Sequence, residues 1–368
     1  MNVELTPLQE RLVQIVRGFS RRKLVILGDA IADRFLYGSI SRVSREAPVF
    51  ILRHEQTETI PGGAANCAVN LASLGADVAL VSVVGNDQAG TELRTKLQAA
   101  GVDTVSLLTS EKLQTTTKVR ILAGHAHSNR QQVIRIDYED APLSDPQLSE
   151  AILAELKGKV SRANAVILSD YNYGVVQEPA IALMREAKDR TSLPVLVDSR
   201  FSLASFTGLT SATPNEDEVE HLIGTPIVSR EQLESKAIEL KRQLAYEALL
   251  VTRGGQGMML IEDGVAPLHI AAVGALQPVD VTGAGDTVIA TFALALAASA
   301  SFSEAAQLAN YAGGLVVMKR GTASITAAEL EHSIVNSGQQ SLRSPLTLRF
   351  RYTRDQPAIA GESIKPGA

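Results

Sequence analysis

The chain contains no tryptophan, and only 4% of its residues are aromatic. Its single cysteine, Cys67, forms no internal disulfide, which fits a reducing compartment, so a cytoplasmic location is expected. There is no basic excess: 35 Lys and Arg stand against 40 Asp and Glu, for a formal net charge of -5. A nucleic-acid partner is therefore not expected. The sequence also lacks a run of about 20 apolar residues, the length needed to cross a bilayer. Its best candidate, Val288 to Ala300, is too short and is expected to be a helix buried in a core, and no membrane partner is expected. The N-terminus carries Glu4, Glu10 and Arg11 and has no apolar segment of signal-peptide type.

What is present is enough for a large core. The chain has 368 residues, 45% of them hydrophobic. This length suits one large α/β domain or two smaller domains. Leu5, Leu8, Leu12, Ile15, Val16 and Phe19 recur at helical spacing and predict an N-terminal helix. Leu24 to Leu27 reads as a buried parallel strand ended by Gly28 and Asp29. Ala64 to Leu74 and Thr91 to Ala100 read as helices, with a strand over Val78 to Val84 between them. Further strands are expected at Ala165–Leu168, Val195–Val197, Ala248–Thr252 and Met258–Ile261, with helices between. This rhythm implies repeated βαβ units and a mainly parallel sheet covered on both faces. Two alternating segments, 35–60 and 115–137, do not fit that sheet and are expected to form a small side sheet, or lid. Ser337 to Ala368 carries Pro345, Pro357 and Pro366 and is expected to be a loosely ordered tail.

Ligands of open parallel sheets bind beyond the carboxyl ends of the strands. Asp29 and Asp33 follow the first strand, Ser169-Asp170-Tyr171 the strand at 165–168, and Asp198 the strand at 195–197. Thr213-Pro-Asn215 and Arg253-Gly254-Gly255 follow later ones. A lone turn aspartate means little, but a series at equivalent positions favours a shared cleft. The most informative stretch is Asp280 to Asp286, Asp-Val-Thr-Gly-Ala-Gly-Asp, followed by a long apolar run. Its glycines allow close approach to an anion, and a helix start adds free N–H groups and partial positive charge. That pairing suits a phosphoryl group, and Asp286 would stand ready to take a proton from an attacking hydroxyl. The alternative is a plain glycine turn with an aspartate placed favourably in the first helical turn.

Gly28-Asp29 with Asp33, Pro61-Gly-Gly-Ala-Ala-Asn66, Gly85-Asn-Asp87 with Gly90, Thr213-Pro-Asn215 with Glu218, and the Asp280–Asp286 loop occur in one order. In this the chain resembles ribokinase-like (PfkB) sugar kinases over about residues 20 to 335. More narrowly it is similar to the kinase domain of bifunctional heptose kinase/adenylyltransferases. That likeness rests on Gly38 with Ser41-Arg-Val-Ser44 and Glu46-Ala-Pro48, on Ser169-Asp170-Tyr171 with Gly174, on Val251-Thr-Arg253 with Gly257-Met258, and on Ala266-Pro-Leu-His269.

The resemblance implies a three-layer α/β/α sandwich with a β lid, and transfer of the ATP γ-phosphate to a sugar hydroxyl. The lid often supports dimers, so a homodimer is expected. In this frame the N-terminal helix occupies 1–20 and the kinase domain 21–336, with lid segments near 35–60 and 113–140. By the same resemblance Asp286 is the base, and Gly283, Ala284 and Gly285 form the anion hole. Asp29, Asp33, Gly62, Gly63 and Asn66 hold the sugar. Arg120 and Asp170 are further sugar-side candidates. Asn215, Glu216, Asp217 and Glu218 lie near ATP, with Thr252, Gly254 and Asn310 expected on the same side. Mg²⁺ is implied, with Glu218 as a candidate contact, and a monovalent cation near the Asp280 loop occurs in some relatives. The residue types agree: carboxylates and amides suit sugar hydroxyls, and Gly62-Gly63 permits close approach. The bland alternatives are a helix cap for Asn66 and an ordinary turn for Gly62-Gly63.

Heptose kinases usually carry lysine where this chain has Tyr173, and read Asp-Pro-Lys-Gly where it has Asp198-Ser-Arg200-Phe201. Tyr173 brings no positive charge, Arg200 keeps the charge in a planar fork, and Arg45 adds a cation near the lid. Either the phosphate is held differently, or the acceptor is a different sugar, or catalysis is weak. No nucleotidyltransferase half follows the kinase segment in this sequence, so adenylyl transfer is not expected. Arg120, Arg130 and Arg135 on the lid hairpin are solvated charges or, for one or two of them, contacts to a phosphorylated sugar. His125 and His127 lack the further ligands of a metal site, and Cys67 reads as core. The leading expectation is an ATP-dependent sugar kinase acting on a heptose phosphate. Its competitors are a kinase for another sugar and a binding regulator that kept the fold and lost turnover.

Overall fold

The computed structural model describes residues 5–124, 130–274 and 277–341. The strands are β1 (Lys23–Gly28), β2 (Ala30–Val43), β3 (Phe50–Gly63), β4 (Asp77–Gly85), β5 (Leu107–Ser110), β6 (Thr117–Gly124) and β7 (Gln131–Tyr138), then β8 (Ala165–Asp170), β9 (Val195–Ser199), β10 (Ser211–Ala212), β11 (Ala248–Thr252), β12 (Met258–Glu262) and β13 (Leu268–Ile270). The helices are α1 (Pro7–Arg17), α2 (Ala64–Ser73), α3 (Gln88–Ala99), α4 (Pro146–Val160), α5 (Glu178–Thr191), α6 (Glu216–Ile223), α7 (Arg230–Gln243), α8 (Ala284–Ala297), α9 (Phe302–Val316) and α10 (Ala327–Ser341).

A nine-stranded sheet runs in the order β13-β12-β11-β10-β9-β8-β1-β4-β5. Its pairings are parallel from β11 to β5 and antiparallel at β11–β12 and β12–β13. Along β1, Leu24 and Ile26 face one hydrophobic cluster while Val25 and Leu27 face the other. The first cluster takes side chains from α1, α2, α3, α8, α9 and α10, the second from α4 to α7. Burial on both faces explains why these strands read as continuous apolar runs. The expected three-layer sandwich with a mainly parallel sheet is therefore what the chain forms.

A second sheet, in the order β3-β2-β6-β7, holds the two alternating segments that do not fit the main sheet. β2 pairs antiparallel with β3 and parallel with β6, and β6 pairs antiparallel with β7. This is the expected lid.

Some boundaries differ from expectation. α3 begins at Gln88 rather than Thr91, because Asp87 caps it by accepting the Gly90 N–H at 2.7 Å. β5, β10 and β13 are four residues long or shorter and gave no period in the sequence. β12 does not continue the βαβ rhythm but folds back on β11 after a turn at Gly254–Gln256. α10 runs to Ser341, past the expected edge of the domain at 336. His125, His127 and the segment beyond Ser341 lie outside the described residues. Among the described residues, no helix is long and apolar enough to cross a membrane.

Candidate active site at the carboxyl edge of the sheet

The carboxyl ends of β1, β8, β9, β10 and β11 meet the lid and the start of α8 around one open cleft of about 380 Å³. Its wall includes Asp33, Gly62 and Gly63 from the lid strands, Lys118 and Arg120 from β6, Asp170 and Tyr171 after β8, and Asp198 and Arg200 after β9. Thr213, Asn215, Glu218 and Thr252 line one end, and Thr282 to Asp286 with Thr322 line the floor.

The floor is built as the motif predicts. Gly283 caps α8 with φ +75, and a Cβ there would stand 2.7 Å from Asn66 Nδ2. Glycine is needed on both counts. Asp280 braces the loop, its Oδ1 accepting the Thr282 N–H at 3.0 Å and its Oδ2 the Gly321 N–H at 2.9 Å. Asp286 sits in the first turn of α8 and is 6% exposed. Its Oδ2 accepts from Asn66 Nδ2 at 2.6 Å and its Oδ1 from the Tyr171 hydroxyl at 3.1 Å. Burial pushes its carboxyl up to about 6, while these two donors pull the other way and the Asp33 charge adds a rise. Burial, with the charges of Asp286, Glu218 and Asp170, pushes Asp198 up to about 8.

A buried network holds Asn66. Asn70 Nδ2 donates to the Asn66 carbonyl at 3.0 Å, and Thr287 Oγ1 donates to Asn70 Oδ1 at 2.8 Å. This ties α2 to α8: Asp286 and Thr287 find partners on α2, while Thr291 donates to the Thr287 carbonyl within α8 at 2.8 Å.

At the opposite end, Asn215 and Glu218 form a capping box on α6: Asn215 Oδ1 accepts the Glu218 N–H and Glu218 Oε2 accepts the Asn215 N–H, both at 2.8 Å. Both also line the cleft, and burial raises the Glu218 carboxyl. Thr213 Oγ1 and Thr322 Oγ1, in the same wall, are buried without a hydrogen-bond partner among the described residues.

Several expected site residues lie elsewhere. Asp29 does not line the main cleft: its Oδ2 accepts the N–H groups of Tyr171 and Tyr173 at 2.8 and 3.2 Å, and its Oδ1 that of Val175 at 3.1 Å. The left-handed turns at Asn172 (φ 67) and Gly174 (φ 87) aim those donors inward. Asn66 is not among the residues that line the cleft; one of its amide N–H groups donates to the Asp286 carboxylate. Glu216 pairs with Arg253 at 2.6 Å and Asp217 points to solvent. Gly254 is exposed in the turn after β11. Asn310 is buried within α9 and donates to the Ala271 carbonyl at 2.7 Å. Tyr173, expected near a bound phosphate, donates its hydroxyl to Glu139 at 2.6 Å and faces a small side cavity of about 40 Å³. Of the lid arginines, Arg120 pairs with Asp33, Arg130 with Glu55 at 2.5 Å, and Arg135 with Asp137 at 2.7 Å. Arg45 is exposed in the β2–β3 loop, and Cys67 is a buried core thiol.

Lys118 and Thr322 line the cleft although the motifs did not single them out, and Tyr171 and Thr213, quoted within motifs but given no role, line it too. Lys118 was within reach of the sequence, since it lies two residues before Arg120 and so on the same face of a strand.

Fold and cleft together define a phosphotransferase that acts on a sugar hydroxyl. The chain belongs to the pfkB family of carbohydrate kinases, whose sequence pattern matches residues 21–328. It is 39% identical over 348 residues to the bifunctional protein HldE of Hahella chejuensis, covering 94% of this chain and 70% of that protein. With the bifunctional protein HldE of Nitrosococcus oceani it shares 42% identity over 319 residues, 86% of this chain and 64% of the relative. The chain thus spans roughly two thirds of the length of these relatives. Among solved structures, the ribokinase of Arabidopsis thaliana complexed with ribose and ATP superposes with a TM-score of 0.66 at 22% identity, over 85% of this chain and 98% of that one. Phosphofructokinase-2 of Escherichia coli in complex with substrates and products gives 0.69 at 18%, with the same coverage.

Proposed function

We propose that this sugar kinase transfers the ATP γ-phosphate to D-glycero-β-D-manno-heptose 7-phosphate at its 1-position, in a cytoplasmic route to an ADP-heptose precursor of lipopolysaccharide. The likeness to HldE relatives at about 40% identity supports the heptose acceptor. The observation that carries the chemistry is the pairing of Asp286 with the free N–H groups at the start of α8.

In this reading Asp286 takes the proton from the acceptor hydroxyl. Asn66 and Tyr171 fix its orientation, and a positioned carboxylate contributes on the order of 10² to 10⁴-fold. Gly283 and Gly285 present N–H groups to the charge that develops on the transferred phosphoryl; Ala284, expected in the same anion hole, already donates its N–H to the Val281 carbonyl at 3.2 Å, closing the turn into α8. Gly62, Gly63, Asp33 and Asp170 shape the sugar side, with Arg120 holding Asp33 in place. Asp29 acts through the 171–175 loop that it braces.

The residues present suit ATP with Mg²⁺. Thr213 and Thr322 offer unpartnered hydroxyls in the wall. Among the described residues no cluster of three or more acidic, His or Cys side chains is placed to hold a metal. Mg²⁺ in such sites uses one or two carboxylates and otherwise phosphates and water. Glu218 would supply the carboxylate, and the ion would offset the phosphate charge. The Asp280 carboxylate accepts one N–H on each oxygen and keeps lone pairs that a monovalent cation beside the loop would use.

The proposal includes a homodimer formed through the lid. Ile134, Ile136 and Tyr138 alternate onto the face opposite Arg135 and Asp137 and are 52%, 40% and 44% exposed. Light scattering should find a dimer, and Ile136→Lys should yield monomer.

The test is ADP release with D-glycero-D-manno-heptose 7-phosphate against hexoses, ribose, fructose 6-phosphate and adenosine. Preference for the heptose phosphate supports the proposal. Preference for another acceptor refutes the heptose assignment, and saturable sugar binding without ADP release from any acceptor refutes turnover.

A further inference from the structure

The lid face that looks into the cleft carries an unusual arrangement of charge. Lys118 on β6 lies directly opposite Asp33 on β2 and Asp137 on β7. Cross-strand neighbours of opposite charge normally pair. Here neither does. Asp33 turns to Arg120, and Asp137 to Arg135 through two bonds of 2.8 and 2.7 Å. Among the described residues Lys118 is left with no ion pair, although two carboxylates flank it.

Its ammonium instead stands over two aromatic rings, 5.9 Å from the centre of Tyr171 and 5.7 Å from that of Tyr173. Cation–π contacts of this kind hold a charge in place but do not neutralise it. Lys118 is half-buried, and burial lowers its tendency to keep its proton. Arg200 faces the same cleft from the end of β9 and likewise has no carboxylate partner among the described residues. Arg200 repels the Lys118 ammonium across the cleft, against the larger attraction of Asp33 and Asp137, which form no ion pair with it among the described residues. An anion held by both cations replaces that repulsion with attraction to each.

We propose that Lys118 is the contact for a phosphate monoester carried by the acceptor, with Tyr171 and Tyr173 as its aromatic seat and Arg200 as a second cation on the same group. The proposal rests on the kinase reading above and deepens it by assigning acceptor specificity. It also gives Tyr173 a role: an aromatic ring there seats a cation that comes from the lid. The lid location favours the acceptor over ATP, because Lys118 shares its strand row with Asp33 and stands over Tyr171 after β8, whereas Thr213 and Asn215 follow β10, two strands further along the sheet.

The experiment measures equilibrium binding of paired sugars, each with and without its phosphate, to wild type and Lys118→Met. The pairs are D-glycero-D-manno-heptose and its 7-phosphate, and fructose and its 6-phosphate. ATP affinity is measured alongside. Wild type should prefer the phosphorylated member of at least one pair. Lys118→Met should weaken that member by about 10- to 100-fold, the range for a lost hydrogen bond to a charged group. The unphosphorylated sugar and ATP should bind as before. Lys118→Arg should retain part of the preference.

Removing an unpaired, half-buried charge should leave Lys118→Met at least as heat-stable as wild type, so loss of binding would not reflect unfolding. Equal weakening of both members of the pair would overturn the proposal, as would a loss confined to ATP or a wild type indifferent to the phosphate. Preference for fructose 6-phosphate over the heptose phosphate, abolished by Lys118→Met, would refute the heptose assignment and leave the Lys118 assignment standing.

Discussion

Asn66 Nδ2 lies 2.6 Å from Asp286 Oδ2, joining residues 220 positions apart in the chain. The contact fixes both α2 and α8 at the floor of the cleft. It also stabilises the carboxylate form of a buried acid. Whatever hydroxyl approaches Asp286 meets a group whose orientation is already set.

Asp286→Asn should keep ATP affinity within a few-fold and lower kcat by about 10² to 10⁴-fold. Isothermal titration with ATP and an ADP-release assay separate the two effects. Near-normal turnover would remove Asp286 from the role of base.

The pH profile should follow the same residue. A base must be unprotonated, and burial raises the Asp286 carboxyl to about 6. Therefore kcat/KM should rise with pH through about 6 and level off above it. Asn66→Ala removes a donor that lowers this value, so its rising limb should move to higher pH. A limb that stays in place, or moves to lower pH, would show that Asn66 does not tune the acid.

Asp198 predicts a pH-dependent stability. Its folded value is raised from 3.8 to about 8, so between those values the native state binds more protons than the unfolded chain. Its contribution is therefore fully present below the unfolded value and is lost as pH rises through the folded one. Asp198→Asn cannot lose a proton. Its Tm relative to wild type should increase steadily from pH 5 to pH 8, the window inside the shift. Thermal melts of both proteins across that range check it, and a constant difference would contradict the assigned cause.

Gly283→Ala tests the cap of α8. The backbone there is left-handed at φ +75, and a Cβ would stand 2.7 Å from Asn66 Nδ2. The left-handed geometry alone costs about 1–2 kcal/mol. The variant should melt lower by a few degrees and lose turnover by more than its stability loss implies, because Asn66 must move from Asp286. Unchanged kcat with lowered Tm would make the glycine a purely structural requirement.

The central sheet was legible in the sequence because β1, β8, β9 and β11 are buried on both faces and so read as uninterrupted apolar runs. The lid was legible for the opposite reason: its strands alternate. Short strands such as β10, two residues long, offer no period, and the antiparallel turn into β12 follows from packing rather than pattern.

Within the site, the sequence by itself determined what must be local. The Gly283–Asp286 cap, the Asn215–Glu218 box and the strand-end carboxylates are each set by residues within one turn of each other. Tertiary structure decided how each polar group is used. Asp29 is consumed by three backbone N–H groups, which no spacing in the sequence reveals. Among the described residues Lys118 has no ion pair, because strand register places two arginines nearer to its neighbouring carboxylates. The Asp280–Asp286 segment reads as a candidate anion cradle by sequence; that its aspartate is buried, oriented by Asn66 and Tyr171, and raised to about 6 is a property of the folded chain alone, because burial and hydrogen-bond geometry exist only once distant segments pack.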